Sequence, residues 1–194
     1  MKELTLAPYG SWKSPISSES IVAGTIGLSE VTLAGSDIYW LETRPTEGGR
    51  YVVVKRSADG QVTDVTPPSF NARTRVHEYG GGAYTVVDGV IYFSHFTDQR
   101  LYRQPPGSAP QPLTPPLDFR YADFAFDAIQ RRLICVREDH TAPGREAENC
   151  IVALNILVTS EKRGASGSGG GADPGGAFEI RSCVHVSPCR SQRD

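Results

Sequence analysis

The sequence has 194 residues, with 20 Lys and Arg against 22 Asp and Glu, which gives a net charge of −2. This length suffices for one ordinary domain, and the near-neutral charge gives no electrostatic footprint for a nucleic-acid partner. No apolar run is long enough to span a bilayer and the first residues lack a signal-peptide core, so we predict a cytoplasmic protein without a membrane partner.

The start of the chain, residues 1–27, is polar and rich in Pro and Ser. This composition predicts an extended lead-in, with Trp12 docked on the domain and a short helix or strand at residues 21–25. The 20 glycines and 14 prolines of the whole chain favour short strands and many turns over long helices.

Periodic strand patterns begin after the lead-in. A first set of four predicted strands covers residues 30–34, 38–42, 51–56 and 61–65. The residues are β-branched or aromatic, and the intervening Gly and Asp residues are typical of turns. Pro67 and Pro68 then end the set.

The same pattern recurs twice. A second set covers residues 83–87, 90–96, 99–104 and 111–114, and a third covers 121–126, 132–137 and 149–156. The period of about 40–50 residues is that of propeller blades. We therefore predict an all-β fold, an incomplete β-propeller of about three four-stranded antiparallel blades, at residues 28–66, 82–115 and 120–158.

Three blades are fewer than the four to eight that close a ring, so we expect the chain to be part of something larger. The Gly-rich residues 161–194 are predicted to be a disordered tail.

The polar loop at residues 73–84 reads Arg-Thr-Arg-Val-His-Glu-Tyr-Gly-Gly-Gly-Ala-Tyr. Three successive glycines let the backbone adopt positive φ and approach other groups closely. Arg75, His77 and Glu78 are candidate substrate-binding residues, because such side chains can hold a peptide terminus through charge-assisted hydrogen bonds. The alternative is a structural network that pins the loop to the edge of the blade.

The other polar groups of the sequence do not predict a functional site. Glu138, Asp139 and His140 follow a strand directly and are expected to form a solvated turn. His95 has no partner in the sequence.

Of the four cysteines, Cys135 and Cys150 lie in apolar runs and are predicted to be buried free thiols. The spacing of Cys183, His185 and Cys189 fits no standard zinc pattern, so we predict neither a metal site nor a cofactor.

The loop at 73–84, together with residues 7–16, 38–50, 64–67, 98–103, 120–123 and 136–140, resembles the N-terminal β-propeller of S9-family serine peptidases. These are the prolyl oligopeptidase-like enzymes, including the dipeptidyl aminopeptidase and acylaminoacyl-peptidase types. The resemblance covers about residues 7–160. It implies a propeller that screens and helps to bind short peptides above a C-terminal α/β-hydrolase domain with a Ser-Asp-His triad.

The sequence departs from that family at the catalytic elbow, Gly-x-Ser-x-Gly. The nearest string, Gly164–Ser168, fails at its last position and lies in the Gly-rich segment. We therefore predict no catalytic residue, and a chain truncated before the hydrolase domain that is inactive by itself.

Two alternatives stay open. One is a free-standing propeller-type binding module that self-associates through exposed blade edges. The other is a hydrolase with an unrecognised nucleophile, although Ser11, Ser166 and Ser168 lie in no activating motif.

Overall fold

Strands make up nearly all of the regular structure. The computed structural model describes residues 8–11, 13–22, 24–156 and 180–185. Within these ranges the helical elements are α1 (Ser18–Val22) and a 3₁₀ turn (Pro45–Glu47), and no helix is long and apolar enough to cross a membrane. Helix α1 lies inside the predicted lead-in, whereas the predicted docking of Trp12 falls outside the described residues.

The first sheet is a four-stranded antiparallel meander. Its strands are β1 (Gly27–Ala34), β2 (Asp37–Arg44), β3 (Arg50–Arg56) and β4 (Val62–Asp64), hydrogen-bonded in the order β1-β2-β3-β4. Tyr39 and Leu41 alternate along β2 with less buried neighbours, which is the period of two that one packed face requires.

The second sheet repeats this arrangement with shorter strands. Its strands are β5 (Tyr84–Val87), β6 (Val90–Ser94), β7 (Leu101–Gln104) and β8 (Gln111–Pro112), in the order β5-β6-β7-β8. Val87 and Val90 pair across the tight turn at Asp88 and Gly89. Strand β6 is buried on both sides, since Ile91 and Phe93 pack in one core cluster and Tyr92 in the other.

The third sheet contains β9 (Phe119–Asp127), β10 (Arg132–Asp139), β11 (Glu148–Asn155) and β12 (Ile180–His185), in the order β9-β10-β11-β12. The prediction of a disordered tail is wrong for Ile180–His185, which pairs antiparallel with β11. The added strand takes up backbone groups of β11 that would otherwise form an unpaired edge.

The core lies in two layers between the sheets. The layer between the first and second sheets contains Tyr39, Leu41, Val53, Ala83, Tyr84, Ile91 and Phe93. The layer between the second and third contains Tyr92, Leu101, Tyr121, Leu133, Cys135, Cys150, Val152 and Leu154. Cys135 and Cys150 are both buried and neither is in a disulfide, as predicted.

The first strand of each sheet packs against the first strand of the next, β1 on β5 and β5 on β9. Glu30 of β1 joins this contact, because its Oε2 accepts the Ala83 N–H at 2.8 Å and its carbonyl accepts the Tyr84 hydroxyl at 2.6 Å. Stacked four-stranded sheets with adjacent first strands are the arrangement of propeller blades, which confirms the predicted all-β incomplete propeller.

Candidate functional site

The polar loop, whose last residue Tyr84 begins β5, leads directly into the first strand of the second sheet. The start of β9 and the end of β10 come to the same face, because antiparallel neighbours reverse direction. The loop is therefore placed next to side chains of the third sheet.

The backbone of the loop is left-handed at three positions. His77 has φ 54°, Glu78 has φ 65° and Gly80 has φ 93°. Non-glycine residues rarely adopt this conformation and keep it where surrounding contacts determine it. The contacts at His77 and Glu78 are therefore the first ones to identify.

The glycines allow the loop to touch β9. A Cβ on Gly81 would lie 2.9 Å from Asp123 Oδ2, closer than real side chains approach. The Gly82 N–H donates to Asp123 Oδ1 at 2.6 Å, and the Asp123 N–H donates to the Gly82 carbonyl at 2.8 Å. The glycine run thus seats the loop on the third sheet through its backbone.

Glu138, at the end of β10, is the buried anchor of the loop. Its Oε1 accepts the His77 N–H at 2.7 Å and lies 3.1 Å from His77 Nδ1. Its Oε2 lies 3.1 Å from His140 Nε2 and 3.7 Å from Arg120 Nη1. Within the described ranges no group of three His, Cys, Asp or Glu side chains is arranged to hold a metal ion.

The predicted solvated turn is wrong for Glu138, of which only 4% is exposed. A buried carboxylate needs hydrogen-bond donors or cations around it, and here the imidazoles and Arg120 supply them. Asp139 does behave as a turn residue, since its Oδ1 accepts the Thr141 N–H and hydroxyl.

Glu78 points outward and pairs with the same arginine. Arg120 Nη1 donates to Glu78 Oε1 at 2.7 Å and to the Arg75 carbonyl at 3.0 Å. This hydrogen bond and the charge of Arg120 hold the pKa of the Glu78 carboxyl below its usual range. Glu78 therefore stays ionised at neutral pH.

Arg75 differs from the other two candidates. Its N–H donates to the Gln99 side-chain oxygen at 2.8 Å, while its guanidinium is exposed and lies 4.3 Å from the centre of the Phe96 ring. The structure thus brings His77 and Glu78 to one paired cluster and places Arg75 beside it.

Sequence reasoning on the loop missed four partners, namely Gln99, Arg120, Asp123 and the buried role of Glu138. A signal for them existed, because residues 98–103, 120–123 and 136–140 all lie in the strings that resemble S9 propellers.

Comparison with family models and with curated proteins finds no match. Among solved structures, a puromycin-hydrolyzing peptidase from Mycobacterium tuberculosis matches with 39% identity and a TM-score of 0.67, over 77% of this chain and 25% of that one. Puromycin hydrolase, in a serine-to-alanine mutant complexed with PGG, matches with 32% identity and a TM-score of 0.66 over the same shares.

A further structure of puromycin hydrolase matches with 32% identity and a TM-score of 0.64. The chain therefore spans about a quarter of the length of these solved peptidases. Sequence and fold agree over most of this chain, and together they show that it resembles the N-terminal part of S9-family peptidases, as the incomplete propeller predicts.

Proposed function

We propose that this chain supplies the substrate-screening propeller part of a cytoplasmic serine peptidase that acts on short peptides, and performs no peptide-bond chemistry itself. The observation that supports the proposal is the match to puromycin-hydrolyzing peptidases, which combines sequence identity of 39% with a TM-score of 0.67. The sequence offers no Gly-x-Ser-x-Gly elbow to hold a nucleophile.

Screening has a simple physical basis. A propeller of packed blades resists deformation, so a long or folded polypeptide cannot reach a chamber that the blades cover. Short peptides that enter can then be held by polar loops at the face of the blades. Of the three candidates Arg75, His77 and Glu78, we assign peptide binding to Arg75, because His77 and Glu78 are already paired with Glu138 and Arg120.

A chimaera tests the screening role. Residues 27–156 of this chain would replace the matched region of the M. tuberculosis peptidase, and hydrolysis of peptides of increasing length would be measured. We expect the chimaera to hydrolyse di- and tripeptide substrates and to exclude long ones. A folded chimaera that cleaves long and short peptides alike would contradict the proposal.

The hydrolase alternative is tested with a fluorophosphonate probe on the purified chain. We expect no labelled serine, since no serine of the sequence lies in an activating motif. A serine labelled in the native protein and unlabelled after denaturation would favour the alternative.

The self-association alternative has one observation in its favour. Leu28, Val31 and Leu33 of β1 are 68%, 70% and 73% exposed, and Val62 of β4 is 55% exposed. The three residues of β1 form an exposed apolar strand, and such apolar surface is typical of regions that another protein layer covers. Light scattering during size-exclusion chromatography decides the point, because a discrete dimer would support a self-associating module.

A further inference from the structure

Two arginines of the polar loop point to the same side. Along residues 73–76, Arg73 and Arg75 are exposed, whereas Thr74 and Val76 are 2% and 0% exposed. This alternation is that of an extended strand, in which every second side chain faces the same way. Both guanidinium groups therefore emerge on the exposed face of the loop.

Both guanidinium groups are held against the same aromatic ring. The Cζ atoms of Arg75 and Arg73 lie 4.3 Å and 4.9 Å from the centre of the Phe96 ring, and Arg73 also lies 5.2 Å from the Tyr51 ring. An arginine that packs its flat face on a ring keeps its N–H donors at the edge.

The backbone beneath these side chains is fixed by buried hydrogen bonds. Gln99, which is 7% exposed, accepts the Arg75 N–H at 2.8 Å and donates to the Phe96 carbonyl at 2.7 Å. The Arg73 N–H donates to the Ser94 carbonyl at 3.0 Å. Both arginines and their shared ring are thus positioned by one network before any ligand arrives.

These two side chains lack the carboxylate partner that six other arginines have. Among the described residues the six are paired as Arg44–Asp64, Arg50–Glu47, Arg120–Glu78, Arg131–Asp88, Arg132–Asp127 and Arg137–Asp139. Among the described residues, neither Arg73 nor Arg75 has a salt bridge or a side-chain hydrogen bond. The neighbouring carboxylate, Glu78, is already bonded to Arg120.

We propose that Arg73 and Arg75 bind the carboxylate of a short peptide. A guanidinium group binds a carboxylate by paired N–H···O hydrogen bonds, and both guanidinium groups at the Phe96 ring can offer such donors. With a net charge of −2 the chain lacks the broad basic surface that a nucleic acid needs, so a single small anionic group is the better match. The inference rests on the proposed function only for the peptide nature of the ligand.

Binding of labelled tripeptides to the purified chain tests the site. The N-terminally dye-labelled peptide Ala-Ala-Ala would be compared, as free acid and as C-terminal amide, by fluorescence anisotropy at low salt. We expect the free acid to bind about tenfold more tightly, which is the usual scale of a charge-assisted hydrogen-bond pair. The preference should shrink at high salt, since the site is exposed.

Variants of the two arginines supply the decisive comparison. Arg73→Gln combined with Arg75→Gln should abolish the preference for the acid, and Arg75→Lys should reduce it while keeping the charge. The matched control is Arg131→Gln, because Arg131 also lies over a ring, that of Phe126 at 6.0 Å, but is already paired with Asp88. The control removes the same charge and should leave the preference unchanged.

Two additional ligands distinguish the source of the anion. The C-terminal amide of Ala-Glu-Ala tests whether the site binds an acidic side chain, and inorganic phosphate tests whether it binds a phosphorylated ligand. Competition by phosphate that is stronger than by the tripeptide acid would overturn the assignment to a peptide. Equal affinity for acid and amide, or no peptide binding at all, would overturn the site itself.

The two proposals can fail separately. A chimaera that cleaves peptides of every length, beside an isolated chain that still prefers the acid, would remove the screening role and leave the carboxylate site. A chimaera that screens by length, beside an isolated chain that binds acid and amide equally, would support the screening role and remove the carboxylate site. Circular dichroism of each variant ensures that folded proteins are compared.

Discussion

The buried carboxylate of Glu138 leads to a prediction about the stability of the protein and of the polar loop. In Glu138→Gln the acceptor of the 2.7 Å bond from the His77 N–H can remain, but the charge that faces His77, His140 and Arg120 is lost. Hydrogen bonds to a charged group are worth about 1.5–3 kcal/mol, so we expect a loss of about 2 kcal/mol in the free energy of unfolding. Glu138→Ala removes all acceptors and should cost about 3–5 kcal/mol.

Urea denaturation and thermal melts measure these losses. For a domain of this size, about 2 kcal/mol corresponds to a decrease in Tm of about 4–8 °C. Hydrogen exchange adds a local test, because the amide of His77 donates directly to Glu138. Its protection should fall by about 30-fold in Glu138→Gln if the loss is local to the loop.

The matched control is Glu146→Gln, an exposed glutamate in the turn after β10. It should change stability by less than about 0.5 kcal/mol. If Glu138→Gln unfolds at the same urea concentration as this control, and the His77 amide keeps its protection, the anchoring role of Glu138 is refuted.

Three further measurements test other parts of the molecule. Burial raises the pKa of Glu30, so the folded state favours the protonated acid and stability is lost as pH rises through that pKa; Glu30→Gln should flatten this decline in thermal melts taken from acidic to neutral pH. Gly81→Ala places a Cβ 2.9 Å from Asp123 Oδ2 and should cost about 1–3 kcal/mol in urea denaturation. Burial also raises the pKa of the Cys135 thiol, and peptide mapping should show that Cys135 and Cys150 react with iodoacetamide only after unfolding.

Local patterns predicted most of the fold. The aromatic and β-branched residues of β2 and β6 predicted these strands to within a few residues, because such side chains fill the core layers that lie on one face of β2 and on both faces of β6. Strand β12 was missed since it lies beyond a long Gly-rich stretch, and its pairing with β11 is set by the open edge of that strand rather than by its own pattern.

The site was predicted in part. The close approach of the Gly-rich loop to a neighbouring strand follows from the sequence, because glycine lets the backbone come near other groups, whereas the left-handed conformation of His77 and Glu78 does not. The burial of Glu138 does not follow, because its partner His77 is 61 residues away and the two meet only when the second and third sheets stack. Charged residues at strand ends are usually solvated, and only the packing of the blades reverses that expectation here.

The same packing divides the loop into two kinds of polar side chain. His77 and Glu78 are already bonded within the fold, to Glu138 and Arg120. A ligand that displaced His77 would take a hydrogen-bond partner from the buried Glu138 carboxylate, at a cost of about 3–5 kcal/mol. Arg75 is held by a ring, which stabilises its position without using its donors. A carboxylate can therefore be added at Arg75 without breaking an existing salt bridge, and this difference in cost is the reason to expect peptide binding at the arginines rather than at the histidine.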